Sequence, residues 1–169
     1  MKRDPLRIAS DPNTSPQELL SLSRHKDPLV RAAVALNPNA PEEAILECAR
    51  DREVSVRKSA AKNPKAPREV IELLSNDPEV FSDIFVRRAI ASNPRAPKWV
   101  LNMLSSDNDY EVRRAIASNP GAPFKAIVRL AEEEDFLILK ALLENPRVPN
   151  ELKKYVEERL KEEYLDSIT

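Results

Sequence analysis

Apolar residues recur along this chain at helical spacing, in two alternating kinds of segment. The first kind reads VRAAVALN from Val30, VRKSAAKN from Val56, VRRAIASN from Val86 and again from Val112, and ILKALLEN from Ile138. Counted from the first residue, positions 0, +3, +4 and +5 are apolar or small, which places them on one face of a helix. The second kind follows a proline, as in PREVIELLSND and PKWVLNMLSSD. Its apolar positions are +3, +4 and +7 from that proline: Val70, Ile71, Leu74; Val100, Leu101, Leu104; Ala126, Ile127, Leu130. This is again a single helical stripe. No segment alternates as a strand should, so the pattern predicts an all-α protein without β-sheet, with the proline-opened helix the longer of each pair.

Boundary residues support this division. Three residues before each first-kind segment stands Asp27, Glu53, Asp83, Asp109 or Asp135, an acid where a helix N-terminus favours one. Pro28 follows Asp27 at the favoured first helical position. Asn-Pro ends the segment, because proline pushes the preceding residue to extended geometry. The turn motifs are DPNTSP at Asp11, NPNAP at Asn37, NPKAP at Asn63, NPRAP at Asn93, NPGAP at Asn119 and NPRVP at Asn145, at steps of 26, 26, 30, 26 and 26 residues. A fixed period of this size marks a stacked repeat array. Only Pro5, Pro28 and Pro78 lie outside these pairs. The longer step falls at DPEVFSDIF, where Asp77-Pro78 reads as an extra cap and helix start. The array parses as six two-helix repeats, approximately 4–29, 30–55, 56–85, 86–111, 112–137 and 138–169, the last closed by a capping helix. Together they form one repeat domain over 1–169.

Composition narrows the function classes. The 169 residues include 27 Lys+Arg and 28 Asp+Glu, so no global charge points to nucleic acid or a membrane surface. A single glycine, Gly121, is too few for a P-loop or dinucleotide fingerprint. A single cysteine allows neither a disulfide framework nor a multi-cysteine metal cluster. The opening MKRDPLRIASDP has no apolar stretch of a secretory signal, and nothing approaches a membrane span. The expectation is a cytoplasmic protein with no cofactor, no metal and no membrane partner.

The recurring VRxAxAxNPxxP, followed by Leu/Ile-rich positions and an Asp, resembles the leucine-rich repeat variant family over roughly residues 5–156. The resemblance implies a right-handed superhelical solenoid of alternating α and 3₁₀ helices, akin to HEAT-like arrays. The step here is 26 residues where the family's usual step is 24, which makes room for the shorter helix to be α. Some family members carry a cysteine-ligated iron–sulfur cluster ahead of their repeats; this chain lacks such cysteines.

Few side chains invite a chemical reading. Cys48 occupies the +7 position that other copies give to leucine or valine, and reads as core. His25, in SRHKD, has no nucleophile or carboxylate placed around it at a repeat position and reads as a surface residue. The Asn column (Asn37, Asn63, Asn93, Asn119, Asn145) recurs in every copy and so argues for structure, with the side chain supporting the bare amides of the following helix. The Arg column (Arg31, Arg57, Arg87, Arg113) reads as an inter-repeat ladder to acids or carbonyls. Beside it, Lys58, Arg88, Arg114 and Lys140, with Arg95 and Lys98, read either as part of that ladder or as a basic stripe.

Two residues break their columns. Trp99 stands where other copies have Glu18, Glu43, Glu69, Lys125 and Glu151, and Phe124 where others have Gln17, Glu42, Arg68, Lys98 and Asn150. Both positions face solvent in the repeat, so an aromatic there is either a candidate partner anchor or a ring that packs on neighbouring stems or covers an uneven edge. The expected function is a non-catalytic scaffold that binds a protein or peptide, or a second copy of the chain in a weak homodimer. Its candidate binding residues are Trp99, Phe124, Arg88, Arg114, Arg95 and Lys98. The alternative is binding of a nucleic-acid backbone by the basic stripe of the middle repeats.

Overall fold

The computed structural model describes residues 4–166, and these form thirteen α-helices with no strand among them. The chain divides into two compact units, Met1–Pro97 and Lys98–Thr169, with the boundary inside the NPRAP turn.

The first unit contains α1 (Pro5–Ser10), α2 (Pro16–Leu22), α3 (Pro28–Leu36), α4 (Glu42–Ala49), α5 (Val54–Lys62), α6 (Arg68–Ser75), α7 (Pro78–Phe81) and α8 (Ile84–Ser92). Helices α1, α3, α5 and α8 pack side by side as one layer, and α2, α4 and α6 as a second layer against it. The second unit contains α9 (Lys98–Leu104), α10 (Tyr110–Ser118), α11 (Phe124–Ala131), α12 (Phe136–Glu144) and α13 (Asn150–Asp166). There α10 and α12 form that unit's own first layer, and α9, α11 and α13 its own second layer. The expected all-α repeat solenoid is present in each unit.

Stripe positions are where burial falls. In the first layer Val30, Val34, Val56, Ala60, Val86, Ile90, Val112, Ile116, Ile138 and Leu142 are buried. In the second layer the +3, +4 and +7 residues Val70, Ile71, Leu74, Val100, Leu101, Leu104, Ala126, Ile127 and Leu130 are all buried. Each large aliphatic among them contributes about 1.5–3 kcal/mol relative to exposure. Cys48 is fully buried among them, and burial, with the charges of Asp51 and Glu47, pushes its thiol up to about 12. It is a core residue.

The caps act through geometry that the sequence foreshadows. The side chains of Asp27, Asp83, Asp109 and Asp135 each accept a backbone N–H of the helix they open. Glu53, with one more methylene, makes no such bond. The four extra residues are the one-turn helix α7, capped by Asp77, with Val80 buried.

One expectation needs correction. The proline-opened helix is not the longer one: α4, α6 and α11 have 8 residues and α9 has 7, against 9 in α3, α5, α8, α10 and α12. The residues beyond +8 leave the helix because they have other work. Asp51 and Glu133 turn away to meet an arginine of the neighbouring layer. Only α2, at 7 residues against 6 in α1, and α13, at 17 against 9 in α12, exceed their partners. The first-layer helices are α throughout, as the 26-residue step allows.

Candidate functional site

The Asn column is buried, with Asn37, Asn63, Asn93, Asn119 and Asn145 all 3% exposed or less. Its role differs from the expected one. The side-chain oxygen accepts the N–H two residues on, as in Asn39 to Asn37 Oδ1 at 2.8 Å and Lys65 to Asn63 Oδ1 at 2.8 Å. The backbone closes the same turn, Ala40 N–H to Asn37 O at 3.0 Å and Ala66 N–H to Asn63 O at 2.9 Å. The side-chain NH2 then donates backward to the preceding copy. Asn37 reaches Ala9 O and Asp11 O, Asn63 reaches Ala35 O and Asn37 O, and Asn145 reaches Ala117 O and Asn119 O. The helices α4, α6 and α11 start without any side-chain cap. The asparagine joins turn to turn; it does not cap the next helix.

The Arg column is the second inter-repeat tie. Arg31 donates through Nε to Asp51 and through Nη1 to the carbonyls of His25 and Lys26. Arg57 does the same with Asp77 and the carbonyls of Asp51 and Arg52, and adds Glu79. Arg113 repeats the arrangement with Glu133 and the carbonyls of Asp107 and Asn108. Burial works to raise the Asp51 carboxyl, but hydrogen bonds from Arg31 and the Glu53 N–H hold it below the usual range. Asp77 is held low in the same way by Arg57, and Asp83 by Lys58. The inter-repeat part of the ladder is carried by the carbonyls of the preceding copy, while each carboxylate belongs to the arginine's own repeat.

His25 is half-buried, not a free surface residue. Its Nδ1 accepts the N–H of Asp27 at 3.1 Å. Asp51 and Asp107 accept the N–H two residues on in the same place, at 2.9 Å each. The histidine substitutes for a turn carboxylate. A surface depression of about 500 Å³ opens beside it. The Arg31–Asp51 pair on its wall is mutually satisfied. Among the described residues no group of three or more His, Cys, Asp or Glu could hold a metal ion, and no helix is long and apolar enough to cross a membrane.

The candidates for a basic stripe are divided between the two units. In the first, Arg88 lies 5.8 Å from the centroid of the Phe85 ring, and Arg95 pairs with Glu42 at 2.5 Å. In the second, Arg114 lies 3.6 Å from Glu111, and Lys98 is exposed on the first turn of α9.

Trp99 and Phe124 are exposed as expected, at 45% and 63%. Each has an apolar companion one turn on, Met103 on α9 and Val128 on α11, both exposed. They do not form one contiguous patch. Arg129 on α11 donates to the backbone carbonyl of Asn102 on α9 at 3.0 Å and to Ser105 Oγ. The Lys125–Arg129 flank of α11 therefore lies toward α9. Phe124 and Val128 take the opposite flank of its outward face. Trp99 and Met103 share the repeat register of Lys125 and Arg129, so they take the flank of α9 turned away from α11. The outward surface thus runs Trp99/Met103, Lys98/Asn102, Lys125/Arg129, Phe124/Val128. Two apolar rails bracket a cationic centre.

A further set of exposed apolar residues lies at the starts of first-layer helices. Leu29 and Phe85 are 64% and 63% exposed, and Tyr110, Phe136 and Leu137 are also open. Phe85 takes Lys62 as well as Arg88 against its ring, each 5.8 Å from the centroid. The column of Val30 and Val86, read one residue upstream, carries the signal.

Residues 28–53 match the profile of the family described as Leucine rich repeat variant. A solved structure described as "a leucine-rich repeat variant with a novel repetitive protein structural motif" is 23% identical; the match covers 92% of this chain and 80% of that one at a TM-score of 0.34. No curated protein matches. The repeat formed by α3 and α4 is thus similar to a leucine-rich repeat variant repeat, and the same residue pattern recurs from Val56, Val86 and Val112.

Proposed function

We propose that the chain, whose residues 28–53 are similar to a leucine-rich repeat variant repeat, is a non-catalytic scaffold that binds a protein or peptide on the outward surface of α9 and α11. One observation carries this reading. Trp99 and Phe124 are large, exposed and aromatic at positions that every other copy fills with polar residues, so the repeat itself does not call for them. Aromatics held on rigid helices, each flanked by an aliphatic neighbour, are the usual anchors of protein recognition.

Several charged groups are engaged in the fold: Arg31, Arg57 and Arg113 hold carboxylates and carbonyls of the ladder, and Cys48 is buried. Arg95 and Arg114 each face a carboxylate, which leaves fewer cations of the expected stripe open to phosphate.

Panning a random peptide library on the immobilised full chain tests the proposal. Peptides should enrich, and the Trp99→Glu/Phe124→Ser double variant should lose them while keeping its helical circular dichroism. Enrichment that survives the double variant would move the site elsewhere. Salt-sensitive retention on a nucleic-acid column, unaffected by the same changes, would favour the other ligand class.

A further inference from the structure

The second-layer helices α2, α4 and α6 of the first unit are acidic, whereas α9 and α11 of the second are basic and α13 after them mixes both signs. In the first, α2 carries Glu18, α4 carries Glu42, Glu43 and Glu47 with no base, and α6 carries Glu69 and Glu72 against Arg68. In the second, α9 (KWVLNML) and α11 (FKAIVRLA) contain no acid at all and carry Lys98, Lys125 and Arg129. Lys98 and Lys125 are exposed and make no ion pair among the described residues. Arg129 donates to a carbonyl and a hydroxyl, both neutral, so its charge is uncompensated.

These cations lie between the two apolar rails. The rails stand on the outer flanks of α9 and α11, so they are further apart than the ~8–10 Å between helices in contact, which leaves room for a peptide in the trough between them. We propose, building on the scaffold reading above, that this trough receives a short acidic peptide of a partner protein. Its Asp or Glu carboxylates meet Lys98, Lys125 and Arg129, and apolar side chains on either side of them cover Trp99/Met103 and Phe124/Val128. Charge complementarity decides the class of occupant. A basic peptide would set like charges together, and a purely apolar one would strip water from three cations without pairing them. The acidic faces of α2 and α4 show that the repeat tolerates the opposite sign at these columns, so the cations are a local feature of α9 and α11.

Panning a random 12-residue library on the biotinylated full chain reads this directly. The enriched set should favour Asp and Glu over Lys and Arg, together with aromatic or aliphatic residues. A synthetic, fluorescein-labelled peptide from that set should bind at least about tenfold more weakly to Lys98→Glu/Lys125→Glu, as expected for reversed charges at a recognition centre. Its affinity should also fall as NaCl is raised, and should be unchanged by Lys65→Glu on an exposed turn of the first unit. Should the charge reversal fail to fold, Lys98→Gln/Lys125→Gln serves the same comparison. Enriched peptides that are neutral or basic, or acidic ones indifferent to both double variants, would overturn the inference and leave the scaffold reading standing. No enriched peptide at all would remove both.

Discussion

Asn63 donates its side-chain amide to the backbone carbonyl of Asn37, 26 residues earlier, at 3.1 Å. The same Nδ2 reaches Ala35 O at 2.7 Å, while Oδ1 accepts the N–H of Lys65. Three hydrogen bonds thus use both ends of one buried amide, which only asparagine can supply at this length. The relationship is repeated by Asn145 with Asn119. It explains why the Asn-Pro motif sets the period: the turns at Asn37, Asn63 and Asn145 are each held to the turn before.

An aspartate here should therefore be worse than an alanine. Asn63→Ala leaves two carbonyls and one N–H without partners, a loss of about 2 kcal/mol. Asn63→Asp keeps the acceptor but aims a buried carboxylate at the carbonyls of Ala35 and Asn37, and should cost about 3 kcal/mol or more. Urea denaturation midpoints at neutral pH give the order. An Asp variant as stable as wild type would contradict the donor role.

Acid should loosen the first unit through the Arg column. The carboxyls of Asp51, Asp77 and Asp83 lie below their ordinary value in the folded chain. A depressed carboxylate adds stability that is fully present above the unfolded pKa of about 4 and is lost as pH falls through the folded value. The urea midpoint should hold from pH 7 to about 5 and then fall steadily below about 4. In Asp51→Asn the neutral-pH midpoint should be lower and the acid slope shallower. An acid slope identical to wild type would mean that Asp51 is not one of the groups responsible.

His25 offers a substitution test of equivalence between copies. If its Nδ1 does the work of the Asp51 and Asp107 carboxylates, His25→Asp should keep the stability of the chain. His25→Ala should cost about 1 kcal/mol, the net value of one hydrogen bond. Equal loss in both variants would show that the ring's packing matters, and not its acceptor.

The single tryptophan reports the proposed surface. Trp99, nearly half exposed, should emit at long wavelength and be readily quenched by acrylamide in the free chain. Trp99→Glu should leave the urea midpoint within about 0.5 kcal/mol of wild type, as for surface positions generally. A blue-shifted, unquenched tryptophan would place it in the core.

The fold was legible because its signals are local. Asp27, Asp83, Asp109 and Asp135 cap helices within their own segment, and the +3, +4, +7 stripe depends only on helical geometry. Where the partner lies a repeat away, legibility fails. The acceptors of Asn63 are 26 and 28 residues back, so sequence spacing pointed to the nearer helix amides instead. The lengths of α4 and α6 escape the sequence for a related reason: Asp51 and Asp77 lie beyond the last turn, each paired with an arginine 20 residues earlier. At the candidate site, column comparison singled out Trp99 and Phe124. Their separation onto opposite flanks, with Lys125 and Arg129 between, needed the contact from Arg129 to Asn102. Met103 and Val128 were missed because aliphatics at those columns look ordinary until exposure is known.

The central claim is that conserved columns build the scaffold and departures from them bind. Amide chemical-shift mapping tests it most directly, with isotopically labelled full chain titrated by the acidic peptide recovered from panning. Shifts should concentrate in Lys98–Met103 and Phe124–Arg129, with the side-chain amides of Asn37, Asn63 and Asn145 unmoved. Shifts centred on the Arg31 and Arg57 ladder, with α9 and α11 silent, would contradict the account.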